Sequence, residues 1–445
     1  MKHIRFNSRN RADSFRLSMF LFAIAIPAHA IDIPSDGSDG AFEPVANMTV
    51  DLSQAVTAAW DDPGDGNGVY DPAQWAVIFK FSSVNIPAGV NVTFTNHPSR
   101  APVILLVQGD VIIHGTVSLN GSVGHSGTGL RGNAEPGPGG FRGGRGSDSQ
   151  TAGGGGMGPG GASYGANNDH AGSGGSHGGA GTTALTTWGA SAPGSAGVTY
   201  GNPGLFPLIG GSGGAGSANG SLGKGGGSGG GAILIATPGQ IFLNGGISAN
   251  GGSATNVGGG NRPSGAGAGG GIRLIADSIS GTGNLQAIGG AAFSGGVNTT
   301  SGAGGVGRIR VETNTNELVD LGNPAYSQGL PGTVPRIFRD PLTPQIRSVS
   351  LAGNPVPDDP RGKLTFPNSD LVIPDPGVKT LAIEAENVPV DGLVEIRVIR
   401  RTGQDAKILA DFVSGTLENS LWSANIPVDA GFSTVQVRAA FTAED

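Results

Sequence analysis

The sequence has no cysteine, which excludes disulfide bonds, thiolate metal sites and cysteine nucleophiles. Charged residues are also scarce: they make up 13% of the chain, against a usual share of ~25% in globular proteins. The formal net charge is −7, and the lysines and arginines are scattered along the sequence. A nucleic-acid-binding protein needs a clustered basic surface, so nucleic acid is excluded as a partner.

Long hydrophobic runs are missing after residue 30, where no segment approaches the ~18 apolar residues of a membrane-spanning helix. Before that point, five Lys and Arg residues in the first sixteen positions precede an apolar run, Leu17 to Ile26, and the small-x-small motif Ala28-His29-Ala30. This is the pattern of a secretory signal peptide. We therefore expect residues 1–30 to be removed near Ala30, and the mature protein to be extracellular or at the cell surface, without a transmembrane segment.

A thirteen-residue phrase occurs twice, as GDVIIHGTVSLNG at 109–121 and GQIFLNGGISANG at 239–251, with a looser copy, DSISGTGNLQAIG, at 277–289. A short β-rich run precedes each copy. Aligning the copies gives one column for each of two apolar positions and one for a glycine bend between them: Val111, Ile241 and Ile279; Gly115, Gly245 and Gly283; Val117, Ile247 and Leu285.

Short strands joined by glycine bends are typical of a parallel β-helix (solenoid), in which each repeat buries its apolar face by stacking on its neighbours. Glycine is expected at the bend because a Cβ would obstruct a positive φ or a close backbone approach. The stretch 83–94 is similar to the repeat and predicts an N-terminal coil of the solenoid. We assign residues 75–322 to this domain; a β-sandwich is the alternative.

Glycine is abundant, with 84 residues in the chain, and it is concentrated in inserts between the repeats. In the largest insert, 122–231, 42 of 110 residues are glycine, so an apolar core of its own is not expected. Scattered aromatic residues could fasten this insert to the side of the solenoid. Packed polyglycine-II-type strands, which need glycine where they touch, are a second interpretation.

The mature chain begins with an Asp- and Gly-rich segment, 31–74, which contains the stretch DDPGDGNGVYD. Its candidate metal ligands are Asp61, Asp65, Asn67 and Asp71, because Ca²⁺ prefers six to eight oxygen ligands from a flexible loop. Asp-Gly and Asn-Gly pairs also form turns, which is the alternative. Calcium is the one cofactor that the sequence suggests.

Composition changes after a Pro-rich linker, 323–344. In 345–445 glycine falls, charge rises and apolar residues alternate, as with Val394, Ile396 and Val398. About seven short strands over ~100 residues predict an immunoglobulin-like or fibronectin-III-like β-sandwich, with Trp422 in its core. The expected fold class is therefore all-β: a short parallel β-helix with long glycine-rich inserts, then a C-terminal sandwich.

Apparent catalytic motifs carry little information in so glycine-rich a chain. GxSxG occurs at Gly210–Gly214 and Gly226–Gly230, but no strand precedes Ser212 as a nucleophile elbow requires. A β-helix glycosidase or lyase needs paired acids, or a base with nearby cations, on a groove, and the repeat positions show no such set. No catalytic or organic-cofactor-binding residue is assigned, and a non-enzymatic protein is favoured.

The alternation of GGGSGGGAILIA, GQIFLNGGISANGG and a further glycine insert resembles the repeats of large glycine-rich exported bacterial proteins, some adhesin-like, taken to be right-handed parallel β-helices. The resemblance covers roughly 75–315 and implies a surface or extracellular location and a structural or adhesive role. The expected partners are cell-surface or matrix glycans or proteins. A carbohydrate-binding or carbohydrate-active β-helix, and a receptor-binding tip built on polyglycine strands, are the alternatives.

Overall fold

The computed structural model describes residues 31–125, 132–147, 152–166, 169–186, 193–219, 223–256, 262–295, 299–329, 332–333, 335–340, 342–362, 369–400 and 403–441. The predicted signal peptide lies outside the described residues. Within them the protein is all-β, and the only helix is a short 3₁₀ turn, Leu52–Gln54. None of the described residues forms a helix with the length and apolarity that crossing a membrane requires.

Among the described residues, twenty-one strands precede residue 330: β1 (Ala41–Phe42), β2 (Met48–Asp51), β3 (Val56–Thr57), β4 (Val69–Asp71), β5 (Ala76–Phe81), β6 (Ser83–Ile86), β7 (Asn91–Thr95), β8 (Val103–Val107), β9 (Val111–Ile113), β10 (Thr116–Ser118), β11 (Asp169–His170), β12 (Leu185–Thr186), β13 (Ala218–Asn219), β14 (Ala232–Ala236), β15 (Gln240–Leu243), β16 (Gly246–Ser248), β17 (Gly271–Gly281), β18 (Asn284–Gln286), β19 (Thr299–Thr300), β20 (Arg308–Leu318) and β21 (Ser327–Gln328). Eight follow in the part of the chain that the structure describes: β22 (Gln345–Leu351), β23 (Asn354–Pro355), β24 (Gly377–Glu386), β25 (Leu393–Arg400), β26 (Ala406–Leu409), β27 (Asp411–Gly415), β28 (Ser420–Val428) and β29 (Ser433–Ala440).

The repeats stack as three parallel ladders. The first strands of successive repeats pair in the order β5, β8, β14, β17, β20, and the second strands in the order β6, β9, β15, β17, β20, since β17 and β20 span both positions. The third strands form a separate sheet, β2-β7-β10-β16-β18. The predicted apolar columns are confirmed, because Ile241 pairs with Val111 and Ile279, and Ile247 pairs with Val117 and Leu285.

The inward residues of the three ladders form one continuous apolar core, from Leu52 to Val311. The glycine bends stack directly on one another beside it. A Cβ on Gly245 would lie 1.6 Å from the carbonyl oxygen of Gly115, and one on Gly283 would lie 2.3 Å from that of Gly245. Close backbone approach is therefore the reason for glycine in this column, as the sequence predicted.

The first ladder is buried on its outer face as well. Ile78, Ile104 and Leu234 pack there against residues from both flanking segments. From the stretch predicted as a linker, Phe338 lies against this cluster, with its ring 4.7 Å from that of Trp60. A strand covered on both faces is expected to be apolar at every position, which explains the unbroken runs that open each repeat.

The glycine-rich inserts form a second, unusual core. We call it the glycine lattice; it comprises segments 119–125, 132–147, 152–166, 169–184, 193–200, 209–219, 223–231, 249–256, 262–270, 287–295 and 299–307. Segment 210–217 lies at its centre and is hydrogen-bonded to six neighbours, which in their order around it are 139–147, 152–157, 160–166, 169–177, 262–270 and 223–231. Each neighbour is also bonded to the next, so the ring around the central segment is closed.

Successive peptide groups of the central segment bond in different directions. Gly211 donates to the carbonyl of Gly230 (2.9 Å), and its own carbonyl accepts from the Phe141 amide (3.0 Å). Two residues later, Gly213 donates to the carbonyl of Met157 (2.9 Å). In a sheet, bonds point to only two sides, whereas these extended segments bond all round. The sequence predicted that the insert could not form an apolar core, and the structure shows buried backbone hydrogen bonds instead.

Buried histidines make the stability of the lattice depend on pH. His177 is fully buried and stacks on Tyr200, with ring centroids 4.8 Å apart. Its Nδ1 lies 2.9 Å from the carbonyl oxygen of Gly269, to which it donates in the neutral form. Burial lowers the pKa of His177 to about 4, and burial likewise lowers the pKa of His170.

We expect the free energy of unfolding to fall as the pH is lowered from about 6.5, the usual pKa of histidine in an unfolded chain, towards 4. Above pH 6.5, His177 is neutral in both the folded and the unfolded state. Between pH 6.5 and 4, the unfolded chain binds a proton at this residue more readily than the folded protein does. The pKa difference corresponds to about 3 kcal/mol for His177. Denaturant unfolding at several pH values measures the slope.

His177→Asn keeps a donor for Gly269 but cannot titrate in this window, so it should reduce the pH slope. His114→Asn, at an exposed bend where the next repeat already carries Asn244, is the matched control. Equal slopes for His177→Asn and the unaltered protein would contradict this assignment.

The C-terminal residues form two antiparallel sheets with a shared apolar core, in strand orders β23-β22-β24-β28-β27 and β26-β25-β29. Val394, Ile396, Val398 and Trp422 lie in this core, as predicted. Residues 370–373 form no strand, although Leu371 and Ile373 pack against the core.

Arg397 joins this C-terminal unit to the glycine lattice. Its Nε donates to Asp405 Oδ2 (2.9 Å), and its Nη2 donates to the carbonyl of Ala162 in the lattice (3.0 Å). The side chains are 8% and 2% exposed, respectively. A buried guanidinium thus bridges a carboxylate on one unit and backbone carbonyls on the other.

Candidate binding face

The outer side of the sheet β2-β7-β10-β16-β18 is a regular polar surface. Its inward residues, such as Val117 and Ile247, belong to the apolar core, so the alternate residues must point outward. We call the outward set the polar face: Thr49, Asp51, Asn91, Thr93, Thr95, Thr116, Ser118, Gly246, Ser248, Asn284 and Gln286.

Parallel pairing places like residues in columns across the face. Thr93 pairs with Thr49 and Ser118, and Ser248 pairs with Ser118 and Gln286, so one column holds only hydroxyl and amide side chains. Neighbouring strands lie ~4.8 Å apart and outward residues repeat every ~6.6 Å along a strand. The result is a regular grid of side chains that can form hydrogen bonds.

Hydrogen bonds within the columns hold several of these side chains in place. The hydroxyls of Thr49 and Thr93 are 2.8 Å apart, and Thr116 Oγ1 donates to Asn91 Oδ1 (2.7 Å). Ser118 and Ser248, in the middle of the face, make no side-chain hydrogen bond with any other described residue. The centre of the face therefore offers hydroxyls that can both donate and accept.

Only one member of the polar face is ionisable. Asp51 lies at its corner, where hydrogen bonds from Thr95 and then Ser53 lower the pKa of its carboxyl to about 2. The remaining ten residues carry no charge. A convergent set of acids and bases, which glycan cleavage needs, is therefore missing from this described surface.

The predicted calcium ligands lie in a loop that folds around two other residues. Asp39 Oδ1 accepts from the amides of Gly66 and Gly68, and the buried ammonium of Lys80 donates to the carbonyl oxygens of Asp61 (2.8 Å) and Asp62 (2.7 Å). A protein cation thus occupies two of the loop's oxygens.

The four candidate ligands differ in burial and in hydrogen bonding. Asp71 is buried and its carboxylate accepts from the amides of Trp60 and Ala73, which is a turn arrangement, whereas Asp61, Asp65 and Asn67 are exposed. Among the described residues no three His, Asp or Glu side chains form a group that could hold a metal ion. Calcium binding by Asp61, Asp65, Asn67 and Asp71 stays a prediction.

The serines of the GxSxG matches are packed inside the glycine lattice. Ser212 is fully buried; its hydroxyl accepts from the amide of Gly160 (3.0 Å) and lies 3.0 Å from the Tyr200 hydroxyl. Ser228 donates to the carbonyl of Glu135 (2.7 Å). Both hydroxyls satisfy lattice backbone groups and neither faces a cleft where a substrate could bind.

A cavity of about 1090 Å³ lies where the C-terminal unit meets the N-terminal ladders and the lattice. The arginines on its rim are paired: Arg100 and Arg142 both donate to Glu135, and Arg361 donates to Asp359. Asp359 also accepts from the Tyr70 hydroxyl (2.7 Å). These groups tie the units together, and each named arginine has a carboxylate partner, although Arg100 and Arg142 share the one carboxylate of Glu135.

The described residues define an all-β protein with a glycine lattice and a polar face whose only charged member is Asp51. The chain matches no protein-family model, no curated protein and no solved structure. The polar face was missed in the sequence, although its signal was present: the residues flanking the second apolar column, Val117, Ile247 and Leu285, are Thr, Ser, Asn, Gln or Gly at the same repeat positions.

Proposed function

We propose that this chain is a secreted or cell-surface, non-enzymatic adhesive or structural protein, in which a short parallel β-helix carries the glycine lattice and an immunoglobulin-like sandwich. The parallel ladders with stacked bends support the β-helix, and the two antiparallel sheets with a common core support the sandwich. The predicted signal peptide and the resemblance to glycine-rich exported bacterial proteins support the location.

The closed ring of six segments around 210–217 is the observation on which this proposal depends. Such a lattice is rigid without disulfides, because its backbone groups are bonded on all sides. The same observation favours the narrower alternative of a receptor-binding tip built on polyglycine strands, for which a tight glycine core is the expected sign.

The lattice holds the ends of its segments side by side along one edge, which we call the distal edge. Asp169 pairs with Asn219, and Leu185 pairs with Thr300. Arg262 links these pairs, because its guanidinium binds both the Asp169 carboxylate (3.0 Å) and the Thr299 hydroxyl (3.3 Å). Leu185 is 65% exposed here, an apolar side chain available for contact.

Wells coated with residues 31–445 should retain whole cells or matrix polymers, and Leu185→Asp should weaken that retention by placing a charge on the distal edge. Val378→Asp changes an equally exposed apolar residue of the C-terminal unit and is the matched control. If the unaltered protein retains no surface above an uncoated well, the adhesive function is wrong. An equal loss of retention in both variants would show that the contact with the retained surface does not lie at the distal edge.

A further inference from the structure

We propose that the polar face binds a neutral polysaccharide chain. This inference rests on the adhesive function proposed above and names the ligand class of one surface. It starts from the columns of Thr, Ser, Asn and Gln across five parallel strands, which are about 19 Å wide in all.

The charge of the face excludes anionic ligands as its natural occupants. Ten of its eleven residues are uncharged, and Asp51 at the corner would repel a polyanion. Nucleic acids and acidic glycans are recognised by clustered Lys and Arg, and none of the face residues is basic. A neutral polymer, by contrast, meets no charge repulsion on this surface.

The side-chain types match hydroxyl-rich ligands. Hydroxyl and amide groups both donate and accept, as sugar hydroxyls do, so many pairings satisfy both partners. Ser118 and Ser248 supply such groups at the centre with no intramolecular partner among the described residues. Water can bridge the pairs that do not meet directly.

The face is a poor protein interface. Protein contacts of high affinity need a buried apolar or aromatic anchor at their centre, and the polar face has none. Its repetition has a further consequence: identical groups recur at each strand, so the chain of a repeating polymer can contact several strands in the same way. A single small molecule would use only one of these equivalent positions.

Affinity electrophoresis of residues 31–445 in native gels tests this inference, with dextran, mixed-linkage β-glucan or galactomannan as neutral probes and heparin or alginate as anionic probes. We expect retardation by at least one neutral polymer. Ser118→Arg and Ser118→Glu should each weaken it at least tenfold, because a long side chain of either charge obstructs the centre of the face. Ser280→Arg, on the outer face of the second ladder, should leave retardation unchanged.

Comparing the positively charged Ser118→Arg with the negatively charged Ser118→Glu identifies the ligand class. Retardation by anionic polymers alone, strengthened by Ser118→Arg and weakened by Ser118→Glu, would overturn the neutral assignment. Retardation that all three variants share with the unaltered protein would show that the sugar binds elsewhere. Thermal unfolding of each variant identifies any loss of folding. Cell or matrix retention that survives both Ser118 variants would overturn this role of the polar face while leaving the adhesive function intact.

Discussion

Gly213→Ala should lower the free energy of unfolding by at least about 3 kcal/mol, the upper part of the range for overpacked cores. The new Cβ would lie 2.0 Å from the carbonyl oxygen of Arg142, and the other nearest atoms are also backbone. No flexible side chain can move away, so the whole segment must shift. That shift would weaken the hydrogen bond from Gly213 to Met157 and its neighbours. Thermal and denaturant unfolding measure the loss.

Gly132→Ala is the matched control, since nothing lies within 4 Å of the position that its Cβ would take. Alanine there should be neutral or slightly stabilising, because it restricts the unfolded chain. Similar unfolding midpoints for Gly213→Ala and Gly132→Ala would contradict the lattice, because a loosely packed insert would accept both.

Arg397→Met should cost about 3–5 kcal/mol, the usual result of breaking a buried ion pair on one side. Asp405 would keep its burial and lose the guanidinium that neutralises it. The lattice carbonyl of Ala162 would also lose its donor. We therefore expect the C-terminal unit to unfold at a lower temperature than the lattice, so that calorimetry shows two separated transitions.

Arg347→Met provides the comparison, because Arg347 is 60% exposed and pairs with Glu384 at the surface. Exposed pairs contribute ~0–1 kcal/mol, so its midpoint should barely change. If Arg397→Met unfolds in one transition at the original temperature, the bridge between the two units is not a stabilising contact.

The β-rich repeats could be predicted from the sequence because their chemistry is periodic. Val111, Ile241 and Ile279 are apolar in equivalent places, and burial of one strand face fixes the register of all three. The outward residues follow once that register is known. They were overlooked because Thr, Ser and Asn are ordinary on any solvated surface, and only their alignment across strands makes a binding face.

From the sequence, packed glycine-rich strands were one of two interpretations of the insert, and there is a physical reason why the sequence could not decide between them. Glycine carries no side chain, so shifting a segment by one residue changes neither its polarity nor its apparent fit. Which of the six neighbours receives each amide of 210–217 depends on backbone geometry alone. Likewise, Arg397 binds Ala162, which lies 235 positions away in the sequence. No local sequence pattern predicts such a contact.

A core of peptide groups should also respond to temperature differently from a core of apolar side chains. Exposing apolar surface raises the heat capacity on unfolding, whereas exposing polar surface lowers it. Melting the lattice exposes mainly amides and carbonyls, so its heat-capacity increment per residue should be below the usual ~12–15 cal/mol/K. The stability curve of this part of the protein is then broad and shallow, and its resistance to cold exceeds that of the neighbouring apolar ladders.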